Sequence, residues 1–202
     1  MLPDCPVMQK KAMRDKKKRC GWVNRKNPLY VAYHDKEWGK PLKNDQKLFE
    51  FLILEGAQAG LSWETILNRR ENYRRIFKQF DPEKLAKLTD PQLEKILKDP
   101  GIIRNRLKVY SVRINARAYL EVRREFGTFS KYCWSFVGGK PVVNKWKNLS
   151  EIPANTFESD AMSKDMKKQG FKFVGSTICY AFMQATGMVN DHTTDCFRYN
   201  LK

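Results

Sequence analysis

From residue 44 onward the apolar positions recur three and four apart: Leu48, Phe49, Leu52 and Ile53, then Leu61, Ile66 and Leu67, then Leu93, Ile96 and Leu97. That is the period of a helix with one buried face, and no alternating run competes with it as a strand. Helix starts are expected at Asp81-Pro82 and Asp90-Pro91, where aspartate caps and proline takes the first helical position, and at Ser159 ahead of Ala161, Met162 and Met166. Gly170, after Lys167 and Lys168, is a natural stop. Phe173 to Asn190 runs without a charge but holds Ser176, Thr177, Gln184 and Asn190, so it predicts a core helix with its approach and not a bilayer span. There is no internal repeat, and the pattern predicts an all-α fold.

Length and composition narrow this further. At 202 residues the chain suits one domain or two small helical lobes sharing a core, and 42% hydrophobic with 12% aromatic residues exclude disorder of the whole. Lys and Arg number 39 against 22 Asp and Glu, a net charge of +17. Residues 1–19 hold seven basic and two acidic side chains and are expected to be a solvated tail, which leaves +12 on residues 20–202. The folded part is therefore itself basic, as a nucleic-acid partner requires. No apolar run of signal-peptide length opens the chain, so a cytoplasmic protein without a membrane partner is expected. In that reducing setting five cysteines, an odd number, read as thiols or metal ligands.

Both histidines lie near cysteines, giving Cys20 and His34 towards one end and His192 and Cys196 towards the other. The last two are four apart, so one helical turn would place them on the same face, and two nitrogens with two thiolates match tetrahedral Zn²⁺. Four protein ligands close the shell, which makes such a metal structural, clipping the ends of the fold together. The competing reading is a hydrogen-bonding histidine and ordinary buried thiols. Cys133 and Cys179 sit in apolar context as core filler, and Cys5 has no evident partner.

Lys98-Asp99-Pro100-Gly101-Ile102-Ile103-Arg104 makes a turn between a short helix and a long one expected to carry Leu107, Tyr110, Ile114 and Ala118 on one face. Gly101 permits turn geometry, and amides at the next helix start can meet a phosphate, with Arg104, Arg106 and Lys108 adding charge. An ordinary turn between packed helices is the alternative. Glu55 stands alone among small and apolar residues ahead of Trp63, and Trp22, Tyr30, Tyr33 and Trp38 crowd the N-terminal segment. If they converge they make a pocket for a flat cation, held by ring faces and one carboxylate; otherwise the rings fill a core.

Taken together the segments resemble the 3-methyladenine DNA glycosylase I family, a branch of the helix-hairpin-helix DNA glycosylases. The likeness runs from about Arg19 to Cys196. It rests on Arg19-Cys20-Gly21-Trp22-Val23, Pro28-Leu29-Tyr30, His34-Asp35, Glu37-Trp38-Gly39, Leu54-Glu55-Gly56, Ala59-Gly60-Leu61-Ser62-Trp63, Gly101-Ile102-Ile103-Arg104, Cys133-Trp134-Ser135-Phe136-Val137, Gly170-Phe171-Lys172-Phe173-Val174-Gly175, Thr177-Ile178-Cys179-Tyr180 and Val189-Asn190-Asp191-His192. The resemblance implies release of 3-methyladenine from alkylated double-stranded DNA, leaving an abasic site. It implies a structural zinc on Cys20, His34, His192 and Cys196. It implies that Glu55 hydrogen-bonds the edge of the extruded base, that Trp22, Tyr30, Tyr33, Trp38 and Trp63 shape the pocket, and that Leu61 plugs the duplex. Gln58, Gly60, Gly101, Ile103 and Arg104 are the further DNA contacts expected, with the helix-hairpin-helix at about 90–124 inside a glycosylase domain of residues 20–202.

No lysine stands out as a Schiff-base nucleophile, so a monofunctional, monomeric enzyme without strand cleavage is expected. Two departures stand: the tail is longer than the family's usual start, and Ala57 occupies a position where glutamine is familiar. A noncatalytic zinc-stapled DNA-binding module is the main alternative, and an RNA-binding accessory protein, suggested by charge alone, is the other.

Overall fold

The computed structural model describes residues 17–200. Among them ten α-helices run in the order α1 Pro28–Lys36, α2 Asp45–Gln58, α3 Trp63–Leu67, α4 Arg70–Ile76, α5 Pro82–Leu85, α6 Asp90–Leu97, α7 Arg106–Phe126, α8 Phe129–Ser135, α9 Phe157–Lys168 and α10 Ser176–Ala185. The only extended pairing among the described residues is a two-residue parallel ladder, β1 Val142–Val143 against β2 Val189–Asn190. The all-α expectation holds.

The centre of the fold is α2. Its residues Leu48 to Ala57 are all buried, Glu50 among them because Arg70 and Arg74 pair with it at 2.6 and 2.7 Å. It packs against α3, α7, α8 and α10, and α9 packs in turn on α10. Asn44 caps its start through Lys47 N. Residues 17–38 and 186–200 come together: Lys18 O accepts from Phe197 N at 2.9 Å, and Lys18 Nζ pairs with Asp195 at 2.6 Å.

Several local expectations need correcting. Asp81 does cap α5, but α6 is capped by Thr89, whose hydroxyl and the Gln92 side chain close a capping box, so Asp90 and Pro91 are already helical. Likewise Thr156 caps α9 and Ser159 is its capping-box partner. The buried face of α7 is Val109, Val112, Ala116, Tyr119 and Val122, whereas Leu107 is 72% and Ile114 36% exposed. The outward stripe is held by polar contacts instead: the Tyr110 hydroxyl donates to Glu94, and the Arg106 guanidinium lies 4.8 Å from the Tyr110 ring. The basic tail also ends earlier than position 19. Arg19 is buried and donates twice to Asp35, at 2.8 and 2.6 Å, while residues 1–16 lie outside the described residues.

Candidate active site and metal centre

Glu55 lies near the C-terminal end of α2 and is 4% exposed. Across from it, Ser62 caps α3 through Thr65 N and sets Trp63 in the first turn. Asn27 caps α1, which carries Tyr30 and Tyr33. These elements enclose a cavity of about 360 Å³ lined by Trp22, Tyr30, Tyr33, Trp38, Glu55 and Trp63, with Gln58, Leu149, Ile152, Ala181 and Gln184 completing the wall. The expected aromatic set and its one carboxylate converge.

The rings are mutually braced. Trp22 stands 5.3 Å from Tyr30 and 4.9 Å from Trp38, and Tyr33 stands 5.2 Å from Trp63. The Trp63 Nε1 donor is buried and meets no acceptor among the described residues. Burial pushes the Glu55 carboxyl up to about 8. A positive charge beside it favours the ionised form.

A smaller cavity of about 170 Å³ shares Glu55, Gln58 and Ala181 with the first and reaches Gly60 and Leu61. Gly60 has φ +76, which a side chain would resist, and this turn presents Leu61 at 40% exposure. Lys108 reaches back from α7 to donate to the carbonyls of Ala57 at 2.9 Å and Ala59 at 2.6 Å. It therefore caps α2 and fixes the loop, a different task from the added charge expected of it beside the 98–105 turn.

In that turn the sequence expectation is partly reassigned. Gly101 N donates to Asp99 Oδ1 at 2.7 Å, and Ile103 N donates to the Tyr73 hydroxyl at 3.1 Å. Those two amides are committed within the protein. A Cβ at Gly101 would sit 2.4 Å from Asn72 Nδ2, so the exposed Asn72 side chain would have to turn aside. Arg106 pairs with Glu94 at 2.6 Å, while Arg104 is exposed.

Behind the aromatic wall Cys20, His34, His192 and Cys196 are all buried, with ligand atoms within 4.8 Å of one another. Cys20 Sγ lies 3.4 Å from His192 Nδ1, and Cys196 Sγ lies 3.5 Å from His34 Nε2 and 3.6 Å from His192 Nδ1. The remaining ring nitrogens are held elsewhere: His34 Nδ1 by Asp35 at 2.8 Å and His192 Nε2 by the Trp38 carbonyl at 3.2 Å. That leaves one nitrogen of each ring directed at the sulfurs, the usual support of a metal-binding histidine. The adjacent sulfurs share a hydrogen bond that pushes the Cys20 thiol up and the Cys196 thiol down. These four residues fit a metal ion. The expected helical turn from His192 to Cys196 is absent; they lie in turns after β2, closed by Cys196 N donating to Thr193 O.

The sequence reading gave no role to Asp191, which is fully buried. It accepts from Asn144 Nδ2 at 2.8 Å, Trp146 Nε1 at 2.7 Å, the Tyr180 hydroxyl at 2.5 Å and Gln184 Nε2 at 2.7 Å. This joins α10, the loop after β1 and the residue preceding His192. A charged residue beside a metal-ligand motif was its only signal.

A methyladenine glycosylase family model matches residues 22–199. The chain belongs to this family. It is 54% identical over 181 residues to DNA-3-methyladenine glycosylase 1 of Escherichia coli (strain K12), covering 90% of this chain and 96% of that protein. A crystal structure of a 3-methyladenine DNA glycosylase I superposes with a TM-score of 0.87 at 52% identity, covering 89% of this chain and 98% of the other. A Staphylococcus aureus 3-methyladenine DNA glycosylase I, solved for the structural basis of 3-methyladenine recognition, superposes at 0.85 with 37% identity, covering 88% and 94%. As a methyladenine glycosylase family member, the chain keeps the cavity, the loop and the four-ligand cluster in one connected block: the Trp38 ring lies 4.9 Å from Trp22 and 4.6 Å from His192.

Proposed function

We propose that the chain hydrolyses the N-glycosidic bond of 3-methyladenine in alkylated double-stranded DNA, releasing the base and leaving an abasic site. The observation that carries this reading is Glu55, a lone buried carboxyl in the wall of an aromatic cavity, in a chain 54% identical to an E. coli DNA-3-methyladenine glycosylase. Alkylation at N3 makes the adenine cationic. Its bond to C1′ then breaks with the electron pair going to the base, which leaves neutral without being protonated; water supplies hydroxyl to C1′ and its other proton goes to solvent. Glu55 stabilises the cationic base by accepting from its donor edge, and Trp22, Tyr30, Tyr33, Trp38 and Trp63 hold its faces. Leu61, on the loop from Gln58 to Gly60, fills the gap left in the duplex. Arg104 meets the phosphate beside the helix-hairpin-helix at about 90–124, with Gly101 and Ile103 shaping that turn. No lysine lines the cavity, which favours monofunctional chemistry without strand cleavage.

The metal is zinc and structural. Bond lengths of about 2.3 Å to sulfur and 2.0–2.1 Å to nitrogen in a tetrahedron put S and N ligands about 3.5 Å apart, the spacing these side chains already have. Residues 20–202 form the glycosylase domain, acting as a monomer in the cytoplasm; among the described residues no helix is long and apolar enough to cross a membrane. The basic N-terminal residues add nonspecific DNA affinity. Chromatography of bases released from methylated duplex DNA tests the reading, with 3-methyladenine the expected product. No release by folded, metal-loaded protein that still binds DNA would make it a noncatalytic module.

A further inference from the structure

A second concavity shares no lining residue with the base cavity. It has a volume of about 650 Å³, lies between α4, the turn Lys78–Phe80 and α6, and has Ile76, Leu88 and Ile96 in its floor with Lys78, Lys95 and Lys98 around it. A neighbouring cavity of about 600 Å³ shares Lys78, Leu88 and Gln92 and adds Lys84 and Lys87. The two form one elongated groove, shaped for an extended chain more than for a compact ligand.

Its charge is uncompensated. The nearby carboxylates are engaged: Asp99 with Arg75 at 3.1 Å, Asp81 with Lys84 at 3.0 Å and Glu83 with Arg123 at 2.5 Å. Lys78, Lys87, Lys95 and Lys98 enter no ion pair among the described residues, and all four are exposed. Lys78 is held in place by unusual backbone. Lys78, Gln79 and Phe80 have φ of 51, 56 and 56, a left-handed turn that non-glycine residues resist. The fully buried Phe80 ring and a 2.7 Å bond from Gln46 Nε2 to the Gln79 carbonyl hold it.

A phosphate backbone would use the lysines and leave the aliphatic floor without a partner. A segment that alternates carboxylates with apolar side chains uses both. We propose that this groove docks an extended acidic segment of a partner protein, its carboxylates on Lys78, Lys87, Lys95 and Lys98 and one or two aliphatic or aromatic side chains on Ile76, Leu88 and Ile96. The inference does not depend on the glycosylase reading.

The test is selection from a random peptide library of about twelve residues per member on the full-length protein, followed by affinity measurement of the selected peptides. The enriched peptides are expected to combine several Asp or Glu with a central Leu, Ile, Phe or Trp. They should bind the Lys78→Glu/Lys87→Glu variant at least about tenfold more weakly, with its thermal stability and base release from a short duplex retained, and should bind Ile96→Gln more weakly too. Equal affinity for the charge-reversed variant, or enrichment without carboxylates, overturns the proposal. So does a charge-reversed variant that instead loses about tenfold in affinity for undamaged duplex DNA, which would assign the groove to DNA.

Discussion

The ammonium of Lys108, in the first turn of α7, lies 2.6 Å from the carbonyl oxygen of Ala59 at the end of α2. It also bonds Ala57, and its desolvation there holds its pKa below the usual lysine range. Lys108 thus ties the loop bearing Leu61 to the longest helix. Lys108→Met is expected to lower single-turnover base release about tenfold while leaving the salt dependence of DNA binding unchanged. A salt slope reduced by about one, with unchanged release from the bound complex, would return Lys108 to the role of a phosphate contact.

The metal centre makes a second prediction, through Asp35. Its carboxylate orients His34 and is itself held below the ordinary aspartate range, despite the opposing effect of burial, by hydrogen bonds from Arg19 and His34. Asp35→Asn should weaken metal affinity by about 10- to 100-fold, measured by competition with a chelator. If the four residues hold the proposed zinc, Cys196→Ser should abolish its stoichiometric binding and lower the melting temperature, because the link between the segments carrying Cys20 and Cys196 is lost. Unchanged stability in metal-free protein would contradict that link.

Glu55 makes the pH behaviour specific. Its folded pKa, about 8, lies above the ordinary glutamate value of 4.5, so the folded state binds the extra proton between those values. The fold is therefore most favoured below pH 4.5 as far as this group is concerned, and loses on the order of a few kcal/mol as pH rises through about 8. Glu55→Gln should melt higher than wild type at pH 9, with the difference shrinking by pH 5. Binding of a cation needs the carboxylate, so kcat/KM should rise with pH through this ionisation, and the rise should vanish in Glu55→Gln. Identical melting profiles across this range would contradict the buried, unpaired carboxyl.

Gly101→Ala should destabilise the protein by about 1 kcal/mol, since the added methyl displaces the exposed Asn72 side chain. Asn72→Ala in the same chain should recover most of the loss, read from denaturant melts as a double-mutant cycle. Additive losses would place the requirement in the turn's backbone instead.

Much of the site was legible because its residue types are rare where they stand. Glu55 among small and apolar neighbours, with Trp22, Trp38 and Trp63 and only two histidines, leaves few arrangements. The helices followed from spacing, and Asp81-Pro82 marked a true cap. Thr89 and Thr156 were missed because a threonine ahead of a stronger-looking Asp or Ser gives no signal until the capping box closes. The outward stripe of α7 misled because Leu107 and Ile114 have helical spacing without being buried; periodicity does not say which of two stripes faces the core. Lys108 and the amides of Gly101 and Ile103 show what spacing alone does not carry. Charge and a hairpin suggest phosphate, but only tertiary packing shows that Ala59, Asp99 and Tyr73 already occupy those donors.

The most direct measurement is single-turnover release of 3-methyladenine from methylated duplex DNA by wild type and Glu55→Gln at equal metal content and above saturating protein. The account predicts selective 3-methyladenine release by wild type and a loss of about 10²-fold or more in the variant, with DNA binding retained. Equal release by both proteins would contradict the assignment of Glu55 as the group that holds the base.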